Sequence, residues 1–96
     1  MSNYEVMFII DPVLDDEKKE AVIDTVKGIV EKLNGTVGEA DKWGMRKLAY
    51  PIQKKNEGYY VVLPFQAEPT TPKELDRRLR ISDSVMRHII VNKDEK

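Results

Sequence analysis

The order of two kinds of hydrophobic repeat constrains the fold of this 96-residue chain more than any other feature. Residues 3–10, 36–52, 59–65 and 85–92 have the alternation, or the β-branched and aromatic content, that is typical of strands. In the first of these, Tyr4, Val6, Phe8 and Ile10 fall on one face. The segments after the first and third strands instead repeat apolar residues three and four apart, as in Val22, Val26 and Val30, which predicts helices.

Capping and turn residues fix the expected boundaries of these elements. Asp15 or Asp16 can cap the first helix, and the pair Asn34-Gly35 should end it, with glycine taking the left-handed position. Thr71 is expected to cap the second helix ahead of Pro72, with Glu74 closing a capping box. Residues 54–58 form a predicted polar turn between strands two and three, and the long second strand should bend at Gly38 or Gly44.

The resulting order is βαββαβ, which is the α+β ferredoxin-like topology. Right-handed crossovers then give a four-stranded antiparallel sheet in the order 4-1-3-2, with two helices on one face. The other face is left for solvent or a partner, and it should carry Glu5, Met7, Ile9, Tyr60 and Val62. Partly apolar residues on an uncovered face favour an interaction surface.

Length and composition limit what else the chain can be. A chain of 96 residues predicts one domain, here residues 1–93, followed by a short frayed C-terminus at residues 94–96. The absence of cysteine excludes disulfides, thiolate metal sites and cysteine nucleophiles. We see neither a signal peptide nor an apolar run of membrane-spanning length, so we expect a cytoplasmic protein with no membrane partner.

Charge is divided unevenly along the chain, although the net charge is only −1. Residues 1–41 contain 4 Lys or Arg against 10 Asp or Glu, whereas residues 42–93 contain 11 against 5. A basic half can present a positive face to a polyanion, but small proteins often carry uneven charge without such a role. Charge alone therefore leaves nucleic-acid binding open, and it indicates residues 42–93 as the side of any contact.

The predicted hairpin contains a run of residues that resembles a known family. Met45-Arg46-Lys47-Leu48-Ala49-Tyr50-Pro51-Ile52, followed by Lys54 and by Gly58-Tyr59-Tyr60, resembles the signature of the S six (S6) family of bacterial ribosomal proteins. Tyr4-Glu5-Val6 and Leu79-Arg80-Ile81-Ser82-Asp83, with Val85 and Arg87, are similar to the family's first strand and to its second helix and last strand. The resemblance spans essentially the whole chain.

This resemblance implies a structural constituent of the small ribosomal subunit, with no enzymatic activity and no cofactor. It implies binding to the central domain of the small-subunit (16S) ribosomal RNA together with ribosomal protein S eighteen (S18), in assembly of the subunit platform and in translation. No small-molecule substrate is implied.

Several residues are candidates for these contacts. For RNA or the protein partner they are Tyr4, Arg46, Lys47, Lys54, Arg80, Arg87 and Lys93. Met7, Trp43 and Tyr60 are candidates for the protein partner alone. Arginine suits phosphate because its planar fork donates two hydrogen bonds at once. Arg46 and Lys47 have an alternative role, since charges on an edge strand also prevent pairing with other chains.

No group of residues predicts a catalytic or metal site. His88 is the single histidine, and its closeness in sequence to Ser82 and Asp83 is no evidence of triad geometry. Two other classes stay open on the residues alone. One is a regulatory ferredoxin-like domain that binds a small molecule as a homodimer, which would need a pocket with convergent polar groups. The other is a small ferredoxin-like hydrolase, which would need a nucleophile and a base.

Overall fold

A computed structural model describes residues 1–52 and 54–94 of the chain. It contains an antiparallel sheet and two helices, in the predicted α+β arrangement. In chain order the elements are β1 (Ser2–Ile10), α1 (Asp16–Lys32), β2 (Thr36–Val37), β3 (Asp41–Ile52), β4 (Lys55–Ala67), α2 (Thr71–Arg80) and β5 (Val85–Asn92).

The predicted second strand is divided into two segments. Both β2 and β3 pair with β4, and β4 in turn pairs with β1, which pairs with β5. If β2 and β3 are counted as one interrupted edge strand, the predicted 4-1-3-2 order is present. The interruption follows Gly38, whose N–H donates to the Pro64 carbonyl at 2.8 Å before the chain leaves β4. The sheet thus has five strands where four were expected.

One face of the sheet packs against both helices and forms the core. Successive side chains of a strand point to opposite faces, so every second residue of β1 and β4 enters this layer. The largest fully buried side chains from these strands are Val6, Phe8, Ile10, Val61 and Leu63; the helices contribute Ile23, Val26, Val30, Leu75 and Leu79. The helical stripes and the alternating strands of the sequence therefore meet in one hydrophobic layer.

Helix α1 begins as predicted and ends differently. The Asp15 carboxylate accepts a hydrogen bond from the Lys18 N–H at 2.8 Å, which is the expected N-cap. At the other end Asn34, with φ of 65°, takes the left-handed position that we predicted for Gly35. Gly35 is needed for a different reason: a Cβ there would lie 2.6 Å from the Val30 side chain and 3.0 Å from the Gln66 carbonyl.

The predicted capping box of α2 is wrong. Thr70 precedes the first helical residue and makes no side-chain capping bond, while Thr71 is helical and buried. Glu74 accepts hydrogen bonds from Arg77 and Arg78 instead of reaching back to the helix start. Two arginines within one helical turn are stronger partners for a carboxylate than a backbone N–H.

The hairpin between β3 and β4 is longer and tighter than expected. Residues 55–58, which we predicted to be a turn, belong to β4, and Lys54 has a left-handed φ of 66° at the tip. The expected bend at Gly44 is present, because its φ of 83° coincides with a register shift in the pairing of β3 with β4. Pairing of β4 with β1 begins at Tyr59, so residues 55–58 of β4 pair only with β3 and the hairpin extends beyond the end of β1.

The two ends of the described chain meet at the opposite end of the sheet. The Asn3 N–H and side-chain amide donate to the Asp94 carboxylate at 2.8 and 3.1 Å. The Lys93 N–H donates to the Asn3 carbonyl at 2.8 Å. These contacts hold Asp94, the first residue of the expected frayed terminus, while Glu95 and Lys96 lie outside the described residues.

Candidate nucleic-acid interface

The face of the sheet opposite the helices, which we call the open face, is defined by the strand register. Ile9 is paired with Tyr60 on one side and with Arg87 on the other, and Met7 is paired with Val62 and Ile89. Side chains at paired positions share a face. Ile89 and Val91 are 47% and 48% exposed, so apolar surface lies free on this face. The predicted members of the open face are therefore confirmed, and β5 adds Arg87, Ile89 and Val91.

The β3–β4 hairpin brings three predicted site residues together. Arg46 pairs with Gly58 and so lies on the open face, where Trp43, Arg46 and Tyr60 line one shallow depression. Trp43 is 47% exposed, and its indole N–H donates to the Asp41 carboxylate at 3.1 Å. An aromatic pair beside an arginine is typical of binding surfaces for proteins and for single-stranded nucleic acid.

Arg87 contacts a residue that the sequence did not indicate. Its guanidinium donates a hydrogen bond to the Tyr50 hydroxyl, and its Cζ lies 5.6 Å from the centre of the Tyr50 ring. Tyr50 is part of the family-like run, but we predicted no contact role for it. Spacing along β3 does not reveal this contact, because the pairing with β4 shifts register between Lys47 and Ile52 and interrupts the alternation of faces.

The predicted cations divide into two groups by their partners. Arg80 forms an ion pair with Asp76 at 2.7 Å, and Lys93 lies 3.7 Å from a Glu5 carboxylate oxygen. Among residues 1–52 and 54–94, in contrast, no carboxylate lies within ion-pair distance of four cations of the hairpin and β5. These are Arg46, Lys47, Lys54 and Arg87.

The family of the chain follows from its full-length similarity to known proteins. The model of the family described as ribosomal protein S6 matches residues 3–92. The chain belongs to the ribosomal protein S6 family. This is a family of structural constituents of the small ribosomal subunit and is not a class of enzymes.

The relatives agree in sequence and in fold with this S6 family member. It is 54% identical over 96 residues to the small ribosomal subunit protein bS6 of Clostridium kluyveri, with 100% of both chains covered. It is 50% identical to the bS6 protein of Carboxydothermus hydrogenoformans over 95 residues, with 99% of each chain covered. The crystal structure of ribosomal protein S6 from Thermotoga maritima superposes with a TM-score of 0.90 at 34% identity, covering 96% of this chain and 87% of that one.

Tyr4 does not present its ring to a partner, although we predicted it as a contact residue. It is 6% exposed and packs in the core on Phe65, with ring centres 5.4 Å apart. Its even-numbered position on β1 places it on the helix-covered face with Val6 and Phe8. This tyrosine of the S6-family chain is thus a core residue.

Arg80 and Lys93 lie away from the hairpin. Arg80 is on α2, in the helix layer, and Lys93 follows β5 at the end where the chain termini meet. The neighbouring carboxylates are strongly held: hydrogen bonds from Arg77 and then Arg78 lower the pKa of Glu74 to about 2. A hydrogen bond with His88, helped by Arg80, lowers the pKa of Asp76. The charges of α2 are therefore largely satisfied within the protein.

Two of the remaining openings are lined largely by polar side chains that already bond to one another: the Asn3–Asp94 contact borders one, and the ion pairs of Glu74 and Asp76 border the other. The most apolar one lies between α1 and α2, has a volume of about 410 Å³, and is lined mainly by residues such as Leu14, Val22, Ile29 and Leu79. Within the described ranges, no three acidic or histidine side chains are placed to share a metal ion. No helix in that part of the chain is long and apolar enough to cross a membrane.

Proposed function

We propose that this protein binds the central domain of the 16S ribosomal RNA together with ribosomal protein S18, and so contributes to platform assembly and translation in the bacterial cytoplasm. The hairpin and the adjoining end of β5 form the RNA contact. The single observation that carries the proposal is the group of cations there, Arg46, Lys47, Lys54 and Arg87, that lack carboxylate partners among the described residues.

Cations on a hairpin that have no carboxylate partner in the described part of the chain are suited to phosphate. Each cation that neutralises a phosphate releases a counterion, which favours binding at low salt. The deep, narrow major groove of A-form RNA hides the base edges, so contacts to the backbone and to the shape of the RNA dominate. β3 is also an edge strand, and its charges discourage pairing with other chains. The two roles of Arg46 and Lys47 are compatible.

The apolar part of the open face is the proposed site of S18. Met7, Ile89 and Val91 form a strip over neighbouring strands, because Met7 is paired with Ile89 and Glu5 with Val91. Trp43 and Tyr60 lie at the side of the hairpin, next to Arg46. A half-exposed apolar strip with aromatic residues beside it has the composition of a protein interface.

Binding to RNA by this protein alone should be weak, which makes the partner essential. The net charge is −1, and residues 1–41 carry an excess of acid that repels a polyanion. A partner seated on the apolar strip lies next to the cations of the hairpin and can extend the positive surface. We therefore expect cooperative binding.

The test is a titration of an RNA fragment of the 16S central domain, with and without S18, across a range of salt concentrations. Arg46→Gln and Arg87→Gln should each weaken binding in the presence of S18 and reduce the slope of log affinity against log salt by about one. Arg77→Gln is the matched control, because it removes the same charge from the helix layer and should change neither value. Equal affinity with and without S18, or equal effects of the three substitutions, would overturn the proposal.

A further inference from the structure

The contact between Tyr50 and Arg87 joins β3 and β5, which are strands at opposite edges of the sheet. The Tyr50 hydroxyl and ring both contact Arg87, so the side chain is engaged at two points. Tyr50 belongs to β3 and Arg87 to β5, and β4 and β1 lie between these strands. The contact therefore passes over the open face rather than through the hydrogen bonds of the sheet. We call it the Tyr50–Arg87 clasp.

The backbone beneath the clasp is built for close approach. Gly58 pairs with Arg46 on the hairpin, and a Cβ at Gly58 would collide with the side chain of Ile9 on β1. The same Cβ position is 3.7 Å from Leu48, two residues before Tyr50. Ile9 is only 6% exposed although it lies on the uncovered face. The hairpin thus packs closely against β1 at Ile9. Arg87 of the clasp is the β5 residue that pairs with Ile9.

The clasp leaves Arg87 free for an anion. A guanidinium has five N–H donors, and the hydrogen bond to the Tyr50 hydroxyl uses one of them. Arginine can also stack on an aromatic ring while it donates hydrogen bonds in its own plane. Tyr50 itself is 56% exposed, so the pair lies at the surface and not in the core. A contact that only served packing would not need an exposed arginine that has no carboxylate partner among residues 1–52 and 54–94.

We propose that Tyr50 is a positioning residue: the Tyr50–Arg87 clasp holds the hairpin against the open face and aims Arg87 at an RNA phosphate. The proposal rests on the function proposed above, and it adds that the hairpin and β5 act as one preorganised unit. Without the clasp, the cations of the hairpin and Arg87 would each have to be ordered at the moment of binding, which costs affinity.

Binding measurements on single and double variants test the coupling. With S18 present, Tyr50→Leu should weaken RNA binding by at least about tenfold, the loss expected for one charge-assisted hydrogen bond, and Arg87→Gln by a similar factor. The double variant should lose little beyond either one, because both break the same unit. Tyr50→Phe keeps the ring over Arg87 and should recover part of the loss. Met45→Ala, on the opposite face of β3, is the control and should bind like the unaltered protein.

A second measurement separates positioning from a general loss of structure. In the free protein, Tyr50→Leu should speed hydrogen exchange of backbone amides in residues 46–58 by several-fold, while the urea midpoint of global unfolding stays nearly unchanged. It should also reduce the salt slope of RNA binding by about one, as Arg87→Gln does, although no charge is removed.

Losses of affinity that multiply in the double variant, or hairpin exchange that is unchanged in Tyr50→Leu, would overturn the clasp. If the unaltered protein and S18 together fail to bind the RNA, the proposed function fails, and the exchange comparison still decides whether the clasp orders the hairpin. A lower urea midpoint of Tyr50→Leu that accounts for the lost affinity would also overturn the positioning role.

Discussion

The two faces of the sheet are built from the same strands and yet differ in how much of their apolar surface is covered. On the helix-covered face, Val6, Phe8 and Ile10 of β1 are completely buried. On the open face, Met7 is paired with Ile89, which is about half exposed, whereas Ile9 is buried where it packs beside Gly58. Alternation along one strand thus separates side chains that stabilise the fold from side chains that remain available for binding.

The comparison teaches that apolar character alone does not reveal a residue's role in this sheet. Val91 and Ile90 are neighbours of similar chemistry, but Ile90 packs against the core while Val91 is 48% exposed. Burying apolar surface is favourable by about 25 cal/mol per Å². An exposed apolar strip therefore favours association with other molecules, which lowers solubility. A partner that covers the strip removes that cost.

The largest expected effect compares the faces directly. Phe8→Ala should lower the free energy of unfolding by about 3–5 kcal/mol, because it leaves a cavity among fully buried neighbours. Ile89→Ala should cost about 1 kcal/mol or less, since half of this side chain is already in water. Urea unfolding of both variants measures the difference. Equal losses of stability would show that the open face also belongs to the core.

A second, intermediate effect tests the place where the open face is packed like a core. Gly58→Ala places a methyl group against Ile9 and should destabilise the protein by about 1–3 kcal/mol through overpacking. Gly28→Ala in α1 is the matched control: a Cβ there meets nothing within 4 Å, and the change should stabilise the helix by about 0.5–1 kcal/mol. Thermal or urea unfolding should therefore give opposite signs; the same sign for both would contradict the fold of the hairpin onto β1.

The smallest effect concerns a polar contact within the helix layer. His88 and Asp76 join β5 to α2 at 2.6 Å, and this hydrogen bond lowers the pKa of Asp76 from its ordinary value of 3.8. A carboxylate with a lowered pKa in the folded state stabilises the protein above its ordinary pKa, and the stabilisation is lost as the pH falls through the folded value. Because the Asp76 side chain is partly exposed and solvent screens its charge, Asp76→Asn should cost only roughly 0.5–1 kcal/mol at pH 6, and less at pH 2.

The measurement is the free energy of urea unfolding at both pH values. Asp83→Asn, at an exposed position after α2, is the control and should show no such dependence. A loss in Asp76→Asn that is equal at both pH values would contradict a contribution from the ionised carboxylate.

The sequence predicted the layers of the fold because hydrophobic periodicity is a local property. The α1 stripe, the alternation in β1 and the cap at Asp15 are each determined by residues within a few positions of one another. The same logic failed where partners compete. Glu74 could serve the start of α2 or its arginines, and only the folded helix shows that Arg77 and Arg78 prevail. Asn34 and Gly35 both tolerate a left-handed φ, and in the structure Asn34 adopts it. Gly35 is required instead because the Gln66 carbonyl approaches too closely to leave room for a Cβ.

The candidate site was predictable in part. The cations of the family-like run were found, because charge and motif are visible in the sequence. The burial of Tyr4 was predictable from the alternation of β1, which places it on one face with Val6 and Phe8, yet we predicted a contact role for it. The Tyr50–Arg87 clasp was missed because it joins strands that lie far apart in the chain. The residue types are visible in the sequence, whereas the strand register of the hairpin determines which side chains come into contact.

The pairing of β1 with both β4 and β5 has a consequence for the protein during its synthesis. Tyr4 and Asn92 are partners in the sheet, so β1 leaves the ribosome well before β5 and cannot complete its pairing until β5 has been made. Such non-local contacts slow folding, and an unpaired strand edge invites association with other chains meanwhile. A nascent chain that stops before Val85 should therefore have β1 open on one side, and the sheet should close only after β5 has been made.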